Sequence, residues 1–72
     1  NKLSLKKISD SLLKKCGLNA HSIKSEYLGK SASISRYDLY YDTKTGIIYI
    51  LTKAREIVEE THYNIMDYFP MW

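Results

Sequence analysis

The 72-residue chain contains one cysteine, Cys16, so no intrachain disulfide can form and no thiolate cluster can bind a metal. Proline occurs once and glycine three times, and no linker, repeat or low-complexity tract interrupts the sequence. The longest apolar run, Ile47 to Leu51, falls far short of the roughly 18 residues of a membrane span, and no signal-peptide pattern opens the chain. A soluble protein is the expectation. A glycine-rich phosphate loop, paired cysteines and an HExxH pattern are all missing, which leaves nucleotide hydrolysis and zinc proteolysis without support. No metal or other cofactor is expected. A chain of this length buries only about 60% of its unfolded surface, which excludes a Rossmann sheet, a TIM barrel or a two-domain enzyme. Residues 1–72 are therefore read as one domain. The first residue is Asn1 rather than Met, suggesting the C-terminal fragment of a longer protein.

Charge is not of one sign, but it is unevenly placed. The net charge is +3; residues 1–30 carry seven lysines against Asp10 and Glu26, a net +5, and residues 31–72 carry a net −2. A polyanion such as nucleic acid could meet the basic half, although solvated helix lysines are the commoner explanation of such a count.

From Leu3 to Cys16, apolar residues at Leu5, Ile8, Leu12 and Cys16 follow the helical period, and Gly17 supplies a left-handed stop. Cys16 on that stripe is read as core rather than as a catalytic thiol. Asn19 reads as the N-cap of a second helix that ends at Gly29, with Ala20, Ile23 and Tyr27 on one face and His21, Lys24 and Leu28 on another. The period then changes to two. Ile34 to Tyr41 is expected as a strand, Asp42 to Gly46 as a hairpin turn, and Ile47 to Leu51 as the returning strand. Ile57 to Ile65 is read as a third strand, although Lys53 to Glu60 also has helix-favouring composition. These periods predict an α+β domain with amino-terminal helices packed on a small twisted antiparallel sheet. The aromatic end, Tyr68 to Trp72, either caps the core or offers a patch to a partner.

His21 and His62 are the groups whose unperturbed pKa lies near neutrality, and general acid/base chemistry at neutral pH most often uses histidine. Metal-free RNA cleavage needs a base for the 2′-hydroxyl, an acid for the leaving 5′-oxygen and donors for the phosphorane. His21 with Lys24 one turn away on a basic helix is an arrangement expected around a phosphodiester; structural histidines are the alternative. Seven tyrosines, several on predicted strands, could stack on bases, but period-two tyrosines are more often half-buried sheet residues.

The stretch Asn19 to Lys30, with His21, Lys24, Glu26, Tyr27, Leu28 and Gly29, is followed by Ile34-Ser35-Arg36-Tyr37-Asp38-Leu39-Tyr40, the Asp42 to Gly46 turn and Thr61-His62-Tyr63. Together these blocks resemble the C-terminal domains of bacterial polymorphic toxins carried by contact-dependent inhibition proteins, over about residues 18–65. Such domains resemble the barnase/EndoU/colicin/RelE ribonuclease superfamily. The chain departs from that pattern at Thr52 to Glu56, where the family has a glycine-rich, lysine-containing link. The resemblance implies a metal-independent toxic ribonuclease, most often a tRNA anticodon-loop nuclease that leaves a 2′,3′-cyclic phosphate. By the same resemblance His21, Lys24 and Thr61 are catalytic candidates, and Lys30, Arg36, His62 and Tyr63 are candidates for holding RNA. It also implies delivery from a secreted or cell-surface protein into a target-cell cytoplasm, a tRNA substrate, a cognate immunity protein and room for a host activating factor. A non-catalytic RNA- or protein-binding module is the alternative.

Overall fold

The computed structural model describes residues 4–29 and 34–68. In chain order the elements are strand β1 (Leu5–Lys7), helix α1 (Asp10–Cys16), helix α2 (Ala20–Leu28), a 3-10 turn (Ile34–Arg36), strands β2 (Tyr37–Asp42), β3 (Ile47–Thr52) and β4 (Ile57–Asn64), and a second 3-10 turn (Ile65–Asp67). The four strands form one antiparallel sheet in the order β1-β2-β3-β4. This is the α+β arrangement that the two periods predicted.

The helix expected from Leu3 begins only at Asp10. Leu3 lies outside the described residues, and Leu5–Lys7 instead pair with Tyr40–Asp42 at the open edge of β2. Ser9 decides the boundary, because its extended backbone and its hydroxyl, which accepts the Leu12 N–H at 3.2 Å, make it an N-cap rather than a helix interior residue. Asp10 in the first turn, Lys14 and Lys15 in the last, and Gly17 at φ 75 complete a short capped helix. Asn19 caps α2 as expected, its side-chain oxygen accepting the Ser22 N–H at 3.0 Å.

The strand expected from Ile34 likewise starts later, at Tyr37, since Ile34–Arg36 coil into a 3-10 turn that buries Ile34. Strand β4 stands where a third strand was expected, one residue shorter because Ile65 opens the second 3-10 turn. The helical alternative for Lys53 to Glu60 is not adopted. There the chain turns tightly, with Arg55 at φ 67 and the Glu56 N–H donated to the Thr52 hydroxyl, and returns along β3. Gly46 closes the other hairpin at φ 85, where a Cβ would run into Asn64 Oδ1 and lie 2.8 Å from Met66 Cγ. Only glycine fits that turn.

Alternation in β2 and β3 sends Leu39, Tyr41, Ile48 and Ile50 toward the helices, where they pack with Ile8, Leu13, Cys16, Ile23 and Ile65. Burial pushes the Cys16 thiol pKa up, in keeping with a packing role. Tyr40, Tyr49 and Leu51 form a second cluster with Leu5 and Ile47. No helix among the described residues is long and apolar enough to cross a membrane.

Candidate active site

Successive side chains of a regular strand point to opposite faces, so His62 and Tyr63 would not ordinarily share a partner. They do so here. His62 Nε2 lies 3.0 Å from Glu26 Oε2, and the Tyr63 hydroxyl donates to Glu26 Oε1 at 2.6 Å. An irregularity in β4 explains this: the two steps from Ile47 to Tyr49 on β3 face four steps from Asn64 to Glu60 on β4. The surplus residues bulge outward and re-aim their side chains. Thr61 holds the bulge, donating its hydroxyl to the Ile48 carbonyl at 2.6 Å and accepting the Tyr63 N–H at 3.2 Å. The rings of His62 and Tyr63 consequently stack at 4.3 Å. From α2, Tyr27 joins them by accepting the His62 backbone N–H at 2.7 Å, so this helix fastens both the backbone and the ring of His62.

The hydrogen bond from Tyr63, then that from His62, holds the Glu26 carboxyl below its ordinary range, and it is ionised at neutral pH. An ionised carboxylate only accepts hydrogen bonds, so the imidazole proton facing it sits on Nε2. In the neutral ring Nδ1 then carries the lone pair. The Tyr63 phenol is pushed up to about 12, chiefly by its bond to Glu26, and stays a donor. His62 remains 66% exposed at its side chain, so this oriented imidazole is open to solvent.

A depressed carboxylate pKa stabilises the fold above its unfolded value, about 4.3, and that contribution is lost as pH falls through the lower folded value. Thermal melts through the acid range should therefore show the wild type losing stability more steeply than Glu26→Gln. Parallel curves would mean that this network does not form in solution.

His21 and Glu26, five residues apart on α2, line one groove of about 510 Å³ with Ser22 and Ser25. A neighbouring groove of about 370 Å³ joins His21 to Lys24 and Lys14. Lys24 donates to the Tyr37 carbonyl at 2.9 Å, and partial burial lowers its pKa, an effect that nearby Asp38 opposes. An ammonium has three protons, so Lys24 keeps two for the groove. Thus α2 places His21 and Lys24 on one groove and His21 on another with Glu26, the residue that holds His62 and Tyr63.

The other expected residues lie apart. Thr61 is 4% exposed with its hydroxyl engaged by the backbone, so it supports His62 and Tyr63 from within the sheet. Arg36 is exposed on the first 3-10 turn beside Lys53. Lys30 lies outside the described residues, as do Phe69 to Trp72 of the aromatic end. Tyr40, Tyr41 and Tyr49 are buried, which removes them as stacking platforms. Glu26 and Tyr27 stood in the sequence pattern without a role. The helical period places them on α2 but cannot show that this helix meets β4. Among the described residues no group of three or more His, Cys, Asp or Glu side chains gathers to hold a metal ion.

A family model described as bacterial toxin 33 matches residues 1–66. No match to the chain was found among the curated proteins or among the solved structures.

Proposed function

Because the chain belongs to the bacterial toxin 33 family, we propose that it is a toxic endoribonuclease that cleaves RNA without a metal ion. The observation that carries this reading is His62, exposed and held by an ionised Glu26 so that Nδ1 offers a lone pair, with His21 on the groove that Glu26 lines. His62 Nδ1 takes the proton of a ribose 2′-hydroxyl, and the 2′-oxygen bonds to phosphorus. The bond from phosphorus to the 5′-oxygen breaks, and His21 protonates that oxygen, leaving a 2′,3′-cyclic phosphate and a 5′-hydroxyl. Lys24 faces the charge that develops on the phosphorane. Thr61 is a positioning residue that keeps the bulge, while Arg36 and Lys30 hold RNA.

The resemblance to barnase/EndoU/colicin/RelE ribonucleases supports a tRNA anticodon loop as substrate. It also supports delivery from a larger protein into a target-cell cytoplasm and neutralisation by a cognate immunity protein. Charge complementarity makes an acidic immunity surface the expectation.

The test is incubation of the purified domain with total bacterial RNA in EDTA, followed by mapping of the product ends. Discrete tRNA fragments ending in 2′,3′-cyclic phosphate are expected, and Lys24→Ala should lower kcat more than it weakens RNA affinity. Intact RNA, even with target-cell extract added to supply a host factor, would overturn the reading. Salt-sensitive binding without product would then identify a binding module, the alternative that the basic half of the chain favours.

A further inference from the structure

Asp38 is a half-buried carboxylate at the head of β2, 18% exposed at its side chain. Lys53 Nζ bonds both of its oxygens, at 3.0 and 3.1 Å, and Lys7 Nζ lies 3.9 Å from one of them. Lys24 feels the same carboxylate from α2. One carboxylate therefore pairs with ammonium groups from β1 and the β3–β4 turn, and Lys24 of α2, bonded to the Tyr37 carbonyl next to it, lies within reach of its charge. Lys7 and Lys53 keep 61% of their side-chain surface exposed, and beyond the bonds to Asp38 each ammonium retains a donor for a further partner.

These cations do not stand alone. Lys7, Lys24 and Asp38 line a groove of about 440 Å³. That groove shares Lys24 with the one reaching Lys14 and His21, which in turn shares His21 with the groove of Glu26. At the far end Lys53 borders a further depression with Arg36. Three of these grooves adjoin through shared lining residues, and the Lys53–Asp38 pair links the Arg36 depression to them, so a path of cations runs from Arg36 to Lys14 and ends at His21 and at Glu26, the partner of His62. Asp10 is the other acid bordering the middle of this path, and the cations still exceed the acids along it.

We propose that this path is an extended binding site for the phosphate backbone of a single RNA strand, with Lys7 and Lys53, aimed by Asp38, holding phosphates remote from the cleaved bond. The inference rests on the ribonuclease reading and deepens it, since the substrate becomes a single-stranded segment or loop of several nucleotides. Lysine ammoniums suit such a site as point charges that follow a phosphate without demanding one orientation. Because Asp38 holds Lys7 and Lys53, and the Tyr37 carbonyl holds Lys24, binding need not collect mobile side chains.

The test uses a 2′-O-methyl RNA oligonucleotide, which lacks the attacking hydroxyl, so that binding is measured apart from cleavage. Each phosphate contact removed should flatten the dependence of log K on log salt by about 0.7, so Lys7→Gln/Lys53→Gln should flatten it by about 1.4. Arg36→Gln, which leaves the Asp38 cluster intact, should flatten it by about 0.7, and Lys44→Gln, in the β2–β3 turn, should leave it unchanged. Wild-type slopes in both the double variant and Arg36→Gln would overturn the proposal, as would equal loss in Lys44→Gln. Lysine-dependent binding by a domain that cuts no RNA would overturn the ribonuclease reading while leaving this path standing. Cleavage with lysine-independent binding would do the reverse.

Discussion

His62→Ala is expected to lower RNA cleavage by about 10² or more, the range of a lost general base. The fold should survive the change. The His62 side chain is largely exposed, and its backbone N–H still reaches the Tyr27 hydroxyl, so what is lost is a surface stack on Tyr63 and one bond to Glu26. Surface changes of that kind usually move stability by no more than about 0.5 kcal/mol, so the melting curve should nearly overlay that of the wild type. Glu26→Gln separates orientation from chemistry, because an amide can occupy the carboxylate's place without selecting the Nε2–H tautomer with the same strength. Its rate should fall between those of wild type and His62→Ala, with RNA affinity preserved. His21→Ala should match His62→Ala in size, since removing either partner of an acid–base pair halts the same step. Cleavage at the wild-type rate by folded His62→Ala would remove the histidine from the mechanism, and a loss confined to His21→Ala would leave α2 alone carrying it.

The second large effect is on stability. Ile50→Ala should destabilise the domain by about 2–5 kcal/mol, through lost transfer energy and the cavity left behind. Ile50 has no exposed surface, faces the helices from the central strand β3 and belongs to the cluster containing Ile23, Ile48 and Ile65. Small domains sit at the low end of the roughly 5–15 kcal/mol usual for native proteins, so this single change removes much of what is available. Urea titration by circular dichroism should show the midpoint falling steeply or the native baseline vanishing. Ile50→Val should cost about 0.5–1.5 kcal/mol, and Ile57→Ala, at a position 49% exposed, should stay within about 0.5 kcal/mol. An Ile50→Ala variant as stable as Ile57→Ala would contradict the placement of the core on the helix side of the sheet.

Local signals located the elements whose ends carry their own chemistry. Asn19 and Gly29 mark the ends of α2, and the Asp42 to Gly46 turn joins two strands, because a cap or a positive-φ glycine acts within a few residues. At the amino terminus the same kind of signal was present in Ser9 and Asp10, yet the apolar spacing of Leu5, Ile8 and Leu12 suggested a longer helix. Leu5 satisfies a strand as well as a helix, and the vacant edge of β2, far away in sequence, settles which it joins. Ile34 was drawn out of its strand in a comparable way, by burial in a 3-10 turn.

Sequence alone determined the α+β class and the basic first half, and it singled out His21, Lys24, His62 and Tyr63, since composition, period and motif are properties of neighbouring residues. The tertiary structure decided which of those groups meet. Glu26 and His62 are 36 residues apart, and nothing local makes a glutamate on a helix the partner of a histidine on a strand. That pairing follows from α2 lying against β4, and from a bulge that turns His62 and Tyr63 the same way. Thr61 shows the limit most plainly. Its place beside His62 is legible in the chain, but the direction of its hydroxyl, inward to Ile48 rather than out to a phosphate, depends on strand register, which is set by long-range pairing.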